Sequence, residues 1–300
     1  MDGTASIGGV GALTPLAAEL GDLKRLRDAS SPDSLASRAF RAAWGRLLAG
    51  EVPRVVALSA TADCIAAARL GGIDFRVLQE AGVPDPMVIL QRGFDEMAQP
   101  IASALRRDLR AALGQMVLPN PAPDFAEALI RQPRAGATCP GKPRVVLEPP
   151  EGHGDHCMIV AVLGVALSGF YGADPATVFL AGLAHHLHNA FLPDSGFAGE
   201  ILLGNELAPL MRRLFARELS TLPDEVAAPV RDALATIADI ETAEGRAFNA
   251  ADVMDRVLQM KQYHRVAAFT VDQALDDLEL VHAGPLQAFH QAVLRDAGLP

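Results

Sequence analysis

Residues Met158 to Phe170 form an apolar run broken by Gly164 and Ser168, and no other stretch limits the fold as strongly. A membrane-spanning helix needs roughly 18 or more apolar residues, so this shorter run reads as a helix buried inside a protein. Helical patterning continues around it, over 155 to 170, 175 to 190, 198 to 219, 223 to 241, 249 to 273 and 283 to 296. The second half of the chain carries no alternating strand pattern. The expected fold class is therefore all-α, a helical bundle preceded by a mostly helical N-terminal region.

Upstream, Ser31-Pro32-Asp33-Ser34 offers a helix cap ahead of the periodic Leu35, Phe40, Ala43, Trp44, Leu47 and Leu48, and Gly50 and Pro53 stop that helix. Arg54 to Leu70 begins β-branched and becomes Ala-rich, so strand and helix both fit and length favours helix. Two helices broken near Pro100 are expected between Asp85 and Val117. Eight prolines between residues 119 and 150 make that stretch a connection, with one short helix around Phe125 to Ile130. Residues 1–30, rich in Gly, Ala and small polar residues, read as a mobile arm. The division is then an arm (1–30), a helical region of unassigned role (31–134) and a helical domain (135–300).

With 300 residues, half of them hydrophobic, the chain can bury a sizeable core. Its net charge is -10 and its Lys and Arg residues are scattered, which argues against a nucleic-acid partner because no basic stripe is available to neutralise phosphates. Cys64, Cys139 and Cys157 form no CxxC pair, so neither a disulfide framework nor a cysteine-built zinc site is expected. No signal peptide is visible in the opening residues. These features point to a cytoplasmic protein with no membrane partner.

Ala181-Gly-Leu-Ala-His-His-Leu-His-Asn189 places three imidazoles in four positions. His156 lies 29 residues before His185, and Ala251-Asp252 lies 66 residues after His186. Neutral imidazole and carboxylate groups suit transition metals, and helices meeting at one point can supply them. Adjacent helical residues point about 100° apart, so His185 and His186 share an ion most readily at a helix end. The expected ligands are His156, His185, His186 and Asp252, holding one divalent transition metal: iron, manganese, cobalt, nickel or zinc. His153 is the alternative first ligand, and His188 is expected to lie behind the ligands or at the surface. Asp255 is read as a second carboxylate or as an ion-pair partner of Arg256 or Lys261. His264, His282 and His290 are read as surface or interfacial residues.

In the order of these groups the chain resembles the HD superfamily of metal-dependent phosphohydrolases, over roughly residues 140 to 270. The resemblance rests on Glu151-Gly-His-Gly-Asp-His156, on the doublet after Gly182-Leu-Ala-His185 and on Ala251-Asp252. It departs at the doublet, where His186 stands in place of the family's aspartate, a substitution unsuited to bridging two metals. The resemblance implies an HD-like helical bundle over 135–300 and hydrolysis of a nucleotide or another small phosphate ester. It also implies Asp194 as the carboxylate that handles the attacking water, and Arg144 with Lys142 as phosphate contacts. Read from local sequence alone, Asp194 is equally an Asx-turn residue before Gly196, and Arg144 a solvated loop arginine. Two other functions fit the altered doublet: a sensing or interaction module without turnover, and an iron-dependent oxygenase on the same scaffold. Amphipathic helices such as 198 to 219 either pair with a second copy or pack within the chain.

Overall fold

A computed structural model describes residues 10–114, 121–264, 270–277 and 279–299. Among these residues the protein is all-α, with no β-strand. Its centre is a 19-residue helix, α8 (His153–Tyr171), buried without interruption from His153 through Ser168. A helix of this length and apolarity is compatible with a membrane span by composition, but here other helices enclose it. The apolar run therefore forms the buried helix expected of it.

The N-terminal half supplies α1 (Thr14–Asp22), α2 (Leu35–Leu48), α3 (Pro53–Leu70), α4 (Phe75–Glu80), α5 (Pro86–Met97), α6 (Ser103–Ala112) and α7 (Asp124–Arg131). After α8 come α9 (Pro175–Ala184), α10 (Gly196–Leu203), α11 (Leu207–Leu219), α12 (Asp224–Thr236), α13 (Ala243–His264) and α14 (Gln287–Asp296). Local chemistry starts several of these. Ser34 caps α2 by accepting from Ser37 N–H at 2.9 Å, and Asp174 caps α9 by accepting from Thr177 N–H at 2.9 Å. The Arg54 to Leu70 stretch is helical throughout.

Helices α2, α3, α7, α9 and α13 all pack on α8. The α8/α9 contact is the tightest kind available: a Cβ at Gly182 would sit 2.4 Å from Ala161 Cα. Only glycine allows the two backbones to approach so closely. Trp44 anchors the α2/α7 side, with its ring edge-on to Phe125 at 4.9 Å and near-perpendicular to Phe40 at 6.4 Å.

Two expectations about organisation need correction. Residues 10–23 are not a loose arm: Leu13, Leu16, Leu20 and Leu23 are at most 1% exposed, and α1 packs on α3, α8 and α13. The leucines recur at helical spacing within a small-residue composition, so the composition concealed an amphipathic helix; residues 1–9 lie outside the described residues. Nor does packing break between residues 134 and 135, because one hydrophobic core runs from Val10 to Leu299 and α2 and α7 cover α8 directly.

Element ends also differ. The helix expected over 175–190 stops at Ala184 and resumes as a 3-10 turn, Leu187–Ala190. The 198–219 helix is split at Gly204, whose φ of +52° no helix tolerates. The expected helix over 249–273 begins earlier, at Ala243, and residues 265–269 of it are outside the described set.

If α1 belongs to the core, Leu20→Ala should lower the stability of the whole protein by about 2–5 kcal/mol in urea unfolding, the usual cost of emptying a buried leucine site. A change under about 0.5 kcal/mol, typical of surface positions, would restore the loose-arm reading.

Candidate metal centre

The first turn of α8 places His153 and His156 one turn apart on a buried helix end. Asp155 completes this terminus by accepting from Gly152 N–H at 3.2 Å and from the hydroxyls of Ser34 and Ser37. Opposite it, the close contact at Gly182 brings the end of α9 against α8. His185 is the last residue to continue α9, donating its backbone N–H to Ala181 O at 3.0 Å, and His186 already leaves helical geometry at φ -109°, ψ 18°. That break lets two consecutive imidazoles lie side by side, with ring centroids 4.3 Å apart. It answers the geometric difficulty that a continuous helix poses for adjacent ligands.

His156, His185 and His186 come together, each with a ring nitrogen within 4.8 Å of the others. Their remaining nitrogens have acceptors: His156 Nδ1 faces Asp255 Oδ2 at 2.7 Å, His185 Nδ1 faces Gly182 O at 2.8 Å and His186 Nδ1 faces Asn189 Oδ1 at 2.9 Å. Each acceptor calls for a proton on Nδ1, which leaves Nε2 of His185 and His186 as the lone-pair nitrogen. His156 Nε2 stands 3.1 Å from His185 Nε2 and also faces the Asp252 carboxylate. Two imidazole nitrogens bound to one ion at about 2.0–2.1 Å are roughly 2.9–3.4 Å apart at right-angled to tetrahedral geometry. The donor set and its spacing thus fit a cation, and these buried His and carboxylate groups could hold a metal ion.

Asp252 reaches this group through His156, with Oδ1 3.3 Å from Nε2, while its Oδ2 pairs with Arg256 Nε at 3.3 Å. Burial alone raises the Asp252 carboxyl, but Arg256, followed by His156, holds it well below the ordinary range. Burial pushes the His185 imidazole down to about 3, with His156 adding to the shift, and lowers His186 well below its usual value. Both rings are therefore neutral near pH 7, the form that binds metals.

Asp194 occupies the Asx-turn place that the local sequence allows. Its Oδ1 accepts from Gly196 N–H at 2.8 Å, the Asx-turn arrangement, and its Oδ2 accepts from Ala135 N–H at 2.8 Å. His153 Nε2 stands 3.5 Å from the same Oδ2. Burial opposes ionisation of Asp194, but His153 and the two amides keep its pKa well below the carboxylate range. His153 is 0% exposed, its ring lies 4.6 Å from that of His186, and neither of its ring nitrogens has a hydrogen-bond partner among the described residues. His188 is also buried and lies 5.7 Å from the His186 ring.

Arg144 and Lys142 are both exposed. The Arg144 guanidinium donates to Ala135 O and Ser195 O, at 3.1 and 3.2 Å, so it braces the loop that carries Asp194. A partly buried cation near the cluster is Arg134, 3.5 Å from Glu151 with 19% of its side chain exposed. Its charge contributes to lowering the His153, His185 and His186 imidazoles. Sequence reading passed over Arg134 because it sits in a proline-rich connection, where solvated arginines are common. Asp255 pairs with neither Arg256 nor Lys261 but with His156 and Lys24. His282 stacks on Phe197 at 4.3 Å, and His290 is buried.

No family model, curated protein or solved structure matches this chain.

The site also sets a pH dependence. His153, His185, His186, His188, His282 and His290 all have lowered pKa values in the folded protein, with His188 and His290 near 4. Below the ordinary histidine pKa of about 6.5 the unfolded chain takes up protons that the folded chain refuses, so stability falls as pH falls. Asp63, Asp155 and Glu200, whose carboxyls are raised by burial, act in the opposite direction but are fewer. The urea midpoint of metal-free protein should therefore be lower at pH 4.5 than at pH 7; a higher midpoint at pH 4.5 would contradict the buried, neutral histidines.

Proposed function

We propose that the protein is a metal-dependent hydrolase of a nucleotide or another small phosphate ester, an HD-like enzyme with an altered doublet. One observation carries the reading: His156, His185 and His186, each with Nδ1 facing an acceptor, bring ring nitrogens within 4.8 Å of one another, with Asp252 3.3 Å from His156 Nε2. His156, His185, His186 and Asp252 are the proposed ligands, and the donor set suits iron, manganese, cobalt, nickel or zinc. A divalent ion bound there supplies Lewis acidity and lowers the pKa of water.

The chain's own residues divide the remaining work. Arg134 takes the phosphate contact in place of Arg144 and Lys142, because its guanidinium lies inside the charged cluster and its fork matches a phosphate edge. His153 takes the proton of the attacking water on Nδ1. Asp194, occupied by the amides of Ala135 and Gly196, lies 3.5 Å from His153 Nε2 and supplies a negative charge that favours the protonated ring. The water oxygen attacks phosphorus, and the ester oxygen leaves.

Elemental analysis of purified protein should find about one ion per chain, and His185→Ala should lose it while helical content by circular dichroism stays within error. Phosphate release from a panel of nucleotides and sugar phosphates tests the activity. With a responding substrate, Arg134→Gln should raise KM on the order of tenfold or more, matching the roughly 1.5–3 kcal/mol of a charge-assisted hydrogen bond, whereas Arg144→Gln should change it less than threefold. Stoichiometric iron with dioxygen consumption and no phosphate release would favour the oxygenase; metal-free, fully folded protein would favour a sensing or interaction module.

A further inference from the structure

Behind His156 lies a charge cluster that hydrolysis does not use. Lys24, two residues beyond α1, has a side chain 1% exposed. Its Nζ stands 2.6 Å from Glu151 Oε1, 2.6 Å from Asp255 Oδ1 and 2.7 Å from Asp255 Oδ2. Glu151 and Asp255 side chains are each 3% exposed. Asp255 Oδ2, the oxygen that Lys24 contacts, is also the one that faces His156 Nδ1 at 2.7 Å. The chain of contacts runs ammonium, carboxylate, imidazole and then the point shared with His185. It links residue 24 to residue 156 through residue 255, and the three side chains are each at most 3% exposed.

We propose that Lys24 is a positioning residue for His156: its ammonium fixes the Asp255 carboxylate, which holds the ring with Nδ1 protonated and Nε2 turned toward His185. The consequence for metal binding rests on the reading of the histidine cluster given above. Without the ammonium that contacts both of its oxygens, the Asp255 carboxylate is free to rotate, and a rotated carboxylate no longer dictates which ring nitrogen carries the proton. Partners behind a metal-bound histidine commonly govern affinity by 10- to 100-fold. The N-terminal segment is thereby a functional part of the centre, since α1 delivers the only lysine near it among the described residues that the charge network includes.

Metal-free protein labelled with 15N-histidine reports the tautomer directly, with His156 assigned from the signal missing in His156→Gln. Wild type should show His156 protonated on Nδ1. Lys24→Met should shift the population toward the Nε2-protonated form and weaken Zn2+ affinity, measured by competition with a chromophoric chelator, by about 10- to 100-fold. Because Lys24→Met strands two buried carboxylates, the paired variant Lys24→Met/Glu151→Gln removes one anion with the cation and is compared with Glu151→Gln alone. In an Asp255→Asn background, Lys24→Met should add less than a twofold further loss, since the lysine acts through that carboxylate. A folded paired variant with wild-type tautomer and wild-type Zn2+ affinity overturns the proposal, as do losses from Lys24 and Asp255 that simply multiply. Failure of wild type to bind Zn2+ overturns the metal reading instead, and the tautomer measured without metal still decides the role of Lys24.

Discussion

The burial of α8 from His153 through Ser168 leaves that helix without a solvent face, and the remaining architecture follows from covering it. Each side of the helix needs an apolar neighbour, which α2, α3, α7, α9 and α13 provide. Because the helix has no polar stripe, its neighbours choose their places by shape. Glycine marks one close approach at Gly182, and Gly164 marks another, where a Cβ would sit 2.5 Å from Val178 Cγ1. A core organised this way is sensitive to volume and indifferent to the amphipathic pattern that governs surface helices.

Polar chemistry gathers at one end of this apolar rod. Asp155, His153 and His156 enter the interior on the first turn of α8, and the chain meets the resulting desolvation cost with partners drawn from distant segments. Ser34 and Ser37 come from α2 and its cap, Lys24 from beyond α1, Arg134 from the loop after α7, and Asp252 and Asp255 from α13. Buried charges persist when each finds an opposite charge and further hydrogen bonds. Here Lys24, Glu151 and Asp255 each find an opposite charge, and the two ring nitrogens of His153 are left without a hydrogen-bond partner among the described residues.

Much of this was legible in the sequence wherever one short segment carried the signal. The apolar run declared α8, Ser34 declared the start of α2, and the histidine spacing brought His156, His185 and His186 to one place. What escaped depended on three-dimensional juxtaposition. Nothing around Lys24 marks it as buried, because its partners lie 127 and 231 residues away. Arg134 and Arg144 have similar flanks, and only the path of the loop decides which turns inward. The first 30 residues misled through composition, since small residues at the surface of α1 outweighed its leucines in any average. Helix ends were missed where a single backbone angle decides, as at Gly204 and His186, and no hydrophobic period registers such a change.

The contact between Gly182 and Ala161 has a mechanical consequence for the ring three residues later. His185 Nδ1 pairs with Gly182 O, so the imidazole is tethered to the same peptide that is wedged against α8. Its orientation is governed by the stiffness of two interlocked helices rather than by the torsional freedom of a side chain. A guest too large or too small for the space between His156 and His185 cannot be met by swinging that ring alone. It must either prise apart the α8/α9 seam or break the tether, which makes a backbone-to-backbone contact the gauge of what the cluster accepts.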